Sequence, residues 1–297
     1  MLICGTVGSD FRSRYTGGRM ELRVQGVFSK SLYLQTPEGQ LIMLHDAACG
    51  LIPFGIGLRS YADLAARQLT VQPGAAGQLD CGLLTIDGCD LSIRLDAHDC
   101  APISAARPAH DRLQSGADVW CRRLSGCGKG AVLPLLGLGG PVEENLFARV
   151  AQEPLTQLHG ALLSGSRAEA EAALLGLLGL GPGLTPSLDD FINGLQYTLL
   201  FSARNWGMTL AGTPVLTAAV RALAPLRTNP YSACYLVSIA CGERFSLLEA
   251  FLDERAFLNR SAGEQLLRIG ASSGADIMCG ILDALRLLGC AEHSITR

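Results

Sequence analysis

The sequence predicts an α+β protein, with a small N-terminal β barrel or sandwich over residues 1–112 and a mainly α-helical domain over residues 113–297. Short apolar segments separated by Gly, Pro or Asp crowd the first hundred residues, which is a strand-and-turn pattern. Beyond residue 115 the apolar spacing lengthens to that of helices. Between the two, residues 101–115 contain Pro102, Pro108 and small polar residues and read as the passage between domains.

The β segments are expected at 21–29, 31–35, 40–44, 68–71, 83–86 and 91–95. Thr36-Pro37-Glu38-Gly39 is a turn between two of them. Helical spacing follows at 144–162, 167–178, 188–203, 215–223, 232–240, 245–252 and 277–288.

Composition narrows the function. At 297 residues, with 48% apolar and only 17% charged residues, the chain can bury a large core or extensive subunit contacts. A net charge of −3 argues against broad nucleic-acid binding, and 6% aromatics are too few for a base-stacking platform. Residues 1–5 are too short an apolar start for a signal peptide, and 172–180 too short and glycine-rich to cross a bilayer, so a cytoplasmic location without membrane contact is expected.

The most informative stretch is 179–194, Gly-Leu-Gly-Pro-Gly-Leu-Thr-Pro-Ser-Leu-Asp-Asp-Phe-Ile-Asn-Gly. Gly179, Gly181 and Gly183 allow a tight turn entering a helix. Thr185 with Pro186 at the first helical position, or Ser187 with Asp190, offers the cap. Leu188, Phe191, Ile192, Leu195 and Leu199 form the buried stripe. Asp189, Asp190 and Asn193 lie away from most of it, with Gly194 leaving room beside them.

Such a turn presents unpaired N–H groups at Gly181, Gly183 and Leu184 and the positive end of a helix dipole, which suits an anion. Asp189 and Asp190 would repel a bare anion. They can instead hold Mg²⁺ beside a phosphate, orient a polar substrate or complement the dipole.

The pattern partly recurs at 270–280, Gly-Ala-Ser-Ser-Gly-Ala-Asp-Ile-Met-Cys-Gly, where Ser272, Ser273, Gly274 and Asp276 occupy a second helix start. Between the two turns, Thr228, Ser232 and Leu236 share a four-residue spacing, although Pro230 can place a helix start between the first two. Arg227 and Arg244 could pair with carboxylate or phosphate, or stay on a solvated surface.

Gly-x-Gly-Pro-Gly-Leu-Thr-Pro-Ser-x-Asp-Asp at 179–190, Ser232 with Tyr235-Leu236 and Gly242, and Ser273-Gly274-Ala275-Asp276 resemble the AllH family, known from subunits of bacterial oxamate carbamoyltransferase. The first block is long and specific, and together they anchor the C-terminal region. The resemblance implies a role in anaerobic allantoin catabolism. Oxalurate and phosphate are there interconverted with oxamate and carbamoyl phosphate, alongside AllF-like and AllG-like subunits. It accords with a site for two small anions, with Asp189, Asp190 and Asp276 as candidate catalytic groups and Asp189 with Asp190 as candidate Mg²⁺ ligands.

Thr185, Ser187, Asn193, Ser232, Ser272 and Ser273 join Gly181, Gly183, Leu184 and Gly274 as candidate substrate or anion contacts. Pro225-Leu226-Arg227-Thr228 lacks the serine of the Ser-x-Arg-Thr motif of aspartate and ornithine carbamoyltransferases, so a different framework is expected. A non-catalytic anion- or nucleotide-binding regulatory subunit and a structural assembly subunit are the alternatives.

The 11 cysteines contain no Cys-x-x-Cys pair, which gives structural zinc little support, and Cys279 reads as a packing thiol. The histidines do not cluster. His98 and His110 read as loop or boundary residues, and His45 follows an apolar run and could face an interdomain cleft. Gly126-Cys127-Gly128-Lys129-Gly130 misses the phosphate-loop spacing, leaving Lys129 a weak anion candidate.

Overall fold

The computed structural model describes residues 2–8, 18–59, 71–96, 110–253 and 259–295. Residues 68–70 of the strand expected at 68–71, residues 101–109 of the passage and His98 lie outside these. The chain forms two compact units, Met1–Pro102 with Glu243–Leu247, and Ile103–Gly242 with Leu248–Arg297.

The first unit is a closed barrel. Its strands are β1 (Leu2–Val7), β2 (Met20–Val27), β3 (Ser31–Gln35), β4 (Leu41–Asp46), β5 (Gly55–Leu58), β6 (Ala76–Asp80), β7 (Leu83–Ile86) and β8 (Cys89–Asp96). They run in the order β1-β5-β4-β3-β2-β6-β7-β8, and parallel pairing of β1 with β8 closes the ring. Closure leaves no unpaired edge. Leu22 and Val24 of β2, Leu32 and Leu34 of β3, Ile42 and Leu44 of β4, and Ile56 and Leu58 of β5 alternate into one core with Leu79, Leu84 and Ile93. Burial of each such side chain contributes roughly 1.5–3 kcal/mol.

β1, β5 and β6 escape the sequence pattern. Glycine alternates with apolar residues in β5, and the reason is steric. A Cβ on Gly55 would come within 2.7 Å of His45 Nε2, and one on Gly57 within 3.3 Å of the same ring. The Glu243–Leu247 segment also belongs to this unit. Leu51 N–H donates to Ser246 Oγ at 2.6 Å, and Ser246 N–H returns a bond to Leu51 O at 3.2 Å.

The described helices are α1 (His110–Ser125), α2 (Leu146–Ser164), α3 (Arg167–Leu177), α4 (Ser187–Trp206), α5 (Thr213–Arg227), α6 (Pro230–Ala240), α7 (Ser246–Leu252), α8 (Arg260–Leu266) and α9 (Ser273–Ile295). No helix among the described residues is long and apolar enough to cross a membrane. The expected helices are present, most of them longer than the apolar stripe alone suggests. Residues 110–115, read as part of the passage, are the first turns of α1, and α8 is an additional helix.

α4 and α9 pack backbone to backbone. A Cβ on Gly194 would sit 2.0 Å from Ile277 O, and one on Gly280 would sit 1.9 Å from Phe191 O. The position a side chain at Gly194 would take is therefore filled by the α9 backbone rather than left open.

Candidate functional site

The turn from Gly179 to Pro186 delivers α4 without a side-chain cap, since Pro186 holds the N-cap position and makes no such bond. Neither expected cap forms. Gly181 is held at φ +119°, and a Cβ there would lie 2.6 Å from Ser187 N, so only glycine fits the fold-back onto the helix start. Leu188 N–H donates to Leu180 O at 3.0 Å and locks that fold-back. Among the described residues, the N–H groups of Gly181, Gly183 and Leu184 meet no acceptor, and Gly183 and Leu184 are exposed.

Thr185 does something other than capping. Its hydroxyl donates to Asp190 Oδ2 at 2.9 Å and lies 3.1 Å from Ser273 Oγ at the start of α9. The two helix starts therefore meet. At the second start, the N–H groups of Gly274, Ala275 and Asp276 are engaged with Ile269 O and Ser272 O, so they are not open donors.

Asp189 and Asp190 belong to separate networks, as neighbouring residues on a helix point in directions about 100° apart. Asp189 is fully buried. Its Oδ1 accepts Gly179 N–H at 2.7 Å, and its Oδ2 accepts the hydroxyls of Thr228 and, at 2.7 Å, of Ser232. Pro230 does start a helix between those two residues, with Asn229 as the cap. Asn229 Nδ2 also donates to Leu184 O at 2.7 Å, tying α6 to the glycine turn. Desolvation raises the Asp189 carboxyl, against the lowering effect of its three donors.

Asp190 is 3% exposed, and burial raises its carboxyl well above the usual carboxylate range. Hydrogen bonds from Ser273 and Thr185 oppose the rise, while the charges of Asp276 and Asp189 add to it. Asp276 is likewise buried and raised by desolvation, with Oδ1 accepting Val132 N–H at 3.2 Å. The hydroxyls of Ser187 and Ser272 lie close enough to hold that carboxyl down, yet no hydrogen bond to Oδ2 is completed. Ser187 Oγ, Asn193 Oδ1 and Asp276 Oδ2 are all buried without a partner. Each such atom costs about 1–3 kcal/mol.

No lysine or arginine is among the groups that chiefly set the ionisation of these three carboxyls. Arg227 is spent on Leu175 O at 2.9 Å. Lys129 is exposed, although its glycine turn reaches the site: a Cβ on Gly130 would lie 3.4 Å from Asp276 Oδ1. Among the described residues, no three His, Cys, Asp or Glu side chains are grouped to hold a metal ion.

Residues 177–285 match the family model described as oxamate carbamoyltransferase subunit AllH. That stretch is similar to the AllH family. No solved structure matches the chain. The AllH-matched span holds both helix starts, the Asp189 network and the Gly194–Gly280 crossing, while Gly130 and Val132, which complete the surroundings of Asp276, precede it. Sequence reading missed Val132 because a backbone N–H leaves no residue signature.

Cys279, one turn beyond Asp276, is fully buried, and desolvation raises its thiol well above the ordinary value, which fits packing rather than nucleophilic use. His159 Nε2 lies 2.7 Å from Asp283 Oδ2, a pair joining α2 to α9 that its sequence separation of 124 residues concealed.

Proposed function

We propose that this chain is a subunit of an oxamate-carbamoyltransferase-type enzyme and that the meeting point of the α4 and α9 starts takes its small anionic substrates. The Thr185–Ser273 contact carries this reading, because it brings two hydroxyl-rich turns from distant sequence to one place. Open N–H groups at Gly181, Gly183 and Leu184 suit a phosphate or carboxylate oxygen.

In the proposed direction, a phosphate oxygen attacks the ureido carbonyl carbon of oxalurate, and the new C–O bond replaces the C–N bond to the oxamate nitrogen. The proton carried by phosphate ends on that nitrogen. Asp190 is suited to relay it, since burial raises its carboxyl and its Oδ2 accepts the Thr185 hydroxyl at the turn. Asp276 is the second candidate reacting group. Asp189, saturated by three donors, is a positioning residue that ties Gly179, Thr228 and Ser232 around the turn. Subunits resembling AllF and AllG are the proposed partners.

Calorimetric titration of the full chain with phosphate, carbamoyl phosphate and oxalurate tests the reading, with and without the partner subunits. Binding that Thr185→Val and Asp190→Asn weaken supports it. Binding of none of these ligands in either setting would eliminate the site and favour an assembly role.

A further inference from the structure

Ser187, Asp190 and Asn193 recur every three residues along one face of α4, and Ser273 and Asp276 occupy the facing start of α9. The faces meet where Gly194 touches the carbonyl of Ile277, the residue after Asp276. Every orphaned atom in this seam is an oxygen: Ser187 Oγ, Asn193 Oδ1 and Asp276 Oδ2. Their residues are 0%, 3% and 0% exposed. The Ser187 hydroxyl faces Asp276 and the Asp276 charge acts on Asp190, while Asn193 follows Asp190 by one helical turn on the same face of α4.

Two carboxylates, an amide oxygen and a hydroxyl are the donors a small hard cation prefers. We propose that the α4–α9 seam binds one divalent cation, Mg²⁺ or Mn²⁺, through Asp190, Asp276, Asn193 Oδ1 and Ser187 Oγ, with Asp189 outside the coordination. So few carboxylates leave positions for water or for a phosphate oxygen, the usual arrangement for Mg²⁺. The assignment rests on reading these turns as a ligand site, and it explains how a cluster of buried carboxyls accepts anions.

The test uses the metal alone. Mn²⁺ is titrated into the full chain and bound ion is followed by electron paramagnetic resonance, with Mg²⁺ as competitor and no phosphate present. One Mn²⁺ per chain is expected, displaced by Mg²⁺ and weakened at least tenfold by Asp276→Asn with an unchanged circular dichroism spectrum. If Asp276→Asn loses the native spectrum, Ser187→Ala serves instead, with a smaller weakening in the same direction. No binding by the native chain at millimolar Mn²⁺, or binding indifferent to the folded variant, overturns the proposal. A parallel phosphate titration without metal separates the two readings: anion binding without Mn²⁺ binding sinks the cation site alone, and the reverse sinks the anion site alone.

Discussion

Thr185 and Ser273 stand 88 residues apart in the chain and 3.1 Å apart in space, and the same Thr185 hydroxyl donates to Asp190. One hydroxyl thus orients a buried carboxyl and fastens the two helix starts. Thr185→Val keeps the shape and removes both bonds. A loss of about 1–3 kcal/mol in urea unfolding is expected, together with weaker binding of phosphate or oxalurate. An unchanged midpoint and unchanged affinity would show that the contact does neither job.

The Gly194–Gly280 crossing predicts a steric result. Either Gly194→Ala or Gly280→Ala drives a methyl into a backbone carbonyl of the other helix, at 2.0 and 1.9 Å respectively. Overpacking of this kind costs about 1–3 kcal/mol or more. Thermal unfolding should show both variants destabilised, whereas Gly160→Ala, where nothing lies within 4 Å, should not be.

Asp189 and Asp190 should separate by readout. Asp189→Ala leaves Gly179 N–H and the hydroxyls of Thr228 and Ser232 without their acceptor, so a stability loss on the order of 3 kcal/mol is expected. Under the proposed function, Asp190→Asn should instead retain most stability and reduce conversion of oxalurate and phosphate in the reconstituted complex. Equal stability losses would remove the distinction.

The pH dependence follows from the same carboxyls. Asp189, Asp190 and Asp276 are all raised in the folded protein, so over that window the native state binds more protons than the unfolded chain. Their contribution is fullest below the unfolded value of about 4 and declines as pH rises through the folded values. Asp190→Asn should flatten that decline and gain on the native chain toward neutral pH.

His45 works in the opposite sense. Burial lowers it to about 4, so its neutral ring favours folding above about 6.5 and the benefit is lost as pH falls toward 4. The full shift is worth on the order of 3 kcal/mol. Acid unfolding of the barrel, followed by hydrogen exchange in β4 and β5, should begin at lower pH in His45→Gln. An unmoved onset would exclude His45 as the trigger.

These residues also show what the sequence could and could not disclose. The helical half is legible because Leu188, Phe191, Ile192 and Leu195 keep a 3.6-residue rhythm that burial enforces. β5 is not legible, since Gly55 and Gly57 look like loop residues until the His45 ring is seen against them. α1 carries a sound stripe at Ala117, Trp120, Cys121 and Leu124, but it follows Ser115-Gly116, which reads as a break. At the site, residue types were readable and partnerships were not. Adjacent aspartates look like a pair in sequence, and helix geometry sends them to different neighbours.

The short return of Glu243–Leu247 to the barrel unit has a consequence for how the protein can be divided. A fragment ending at Pro102 has every strand of the ring yet leaves the Leu51 N–H and C=O without Ser246. The barrel's integrity is therefore written in two distant stretches of the gene. A deletion or splice near residue 245, far from any strand in sequence, would be felt first in the loop after β4, and a severed barrel would recover its missing bonds only when the Glu243–Leu247 peptide is returned to it.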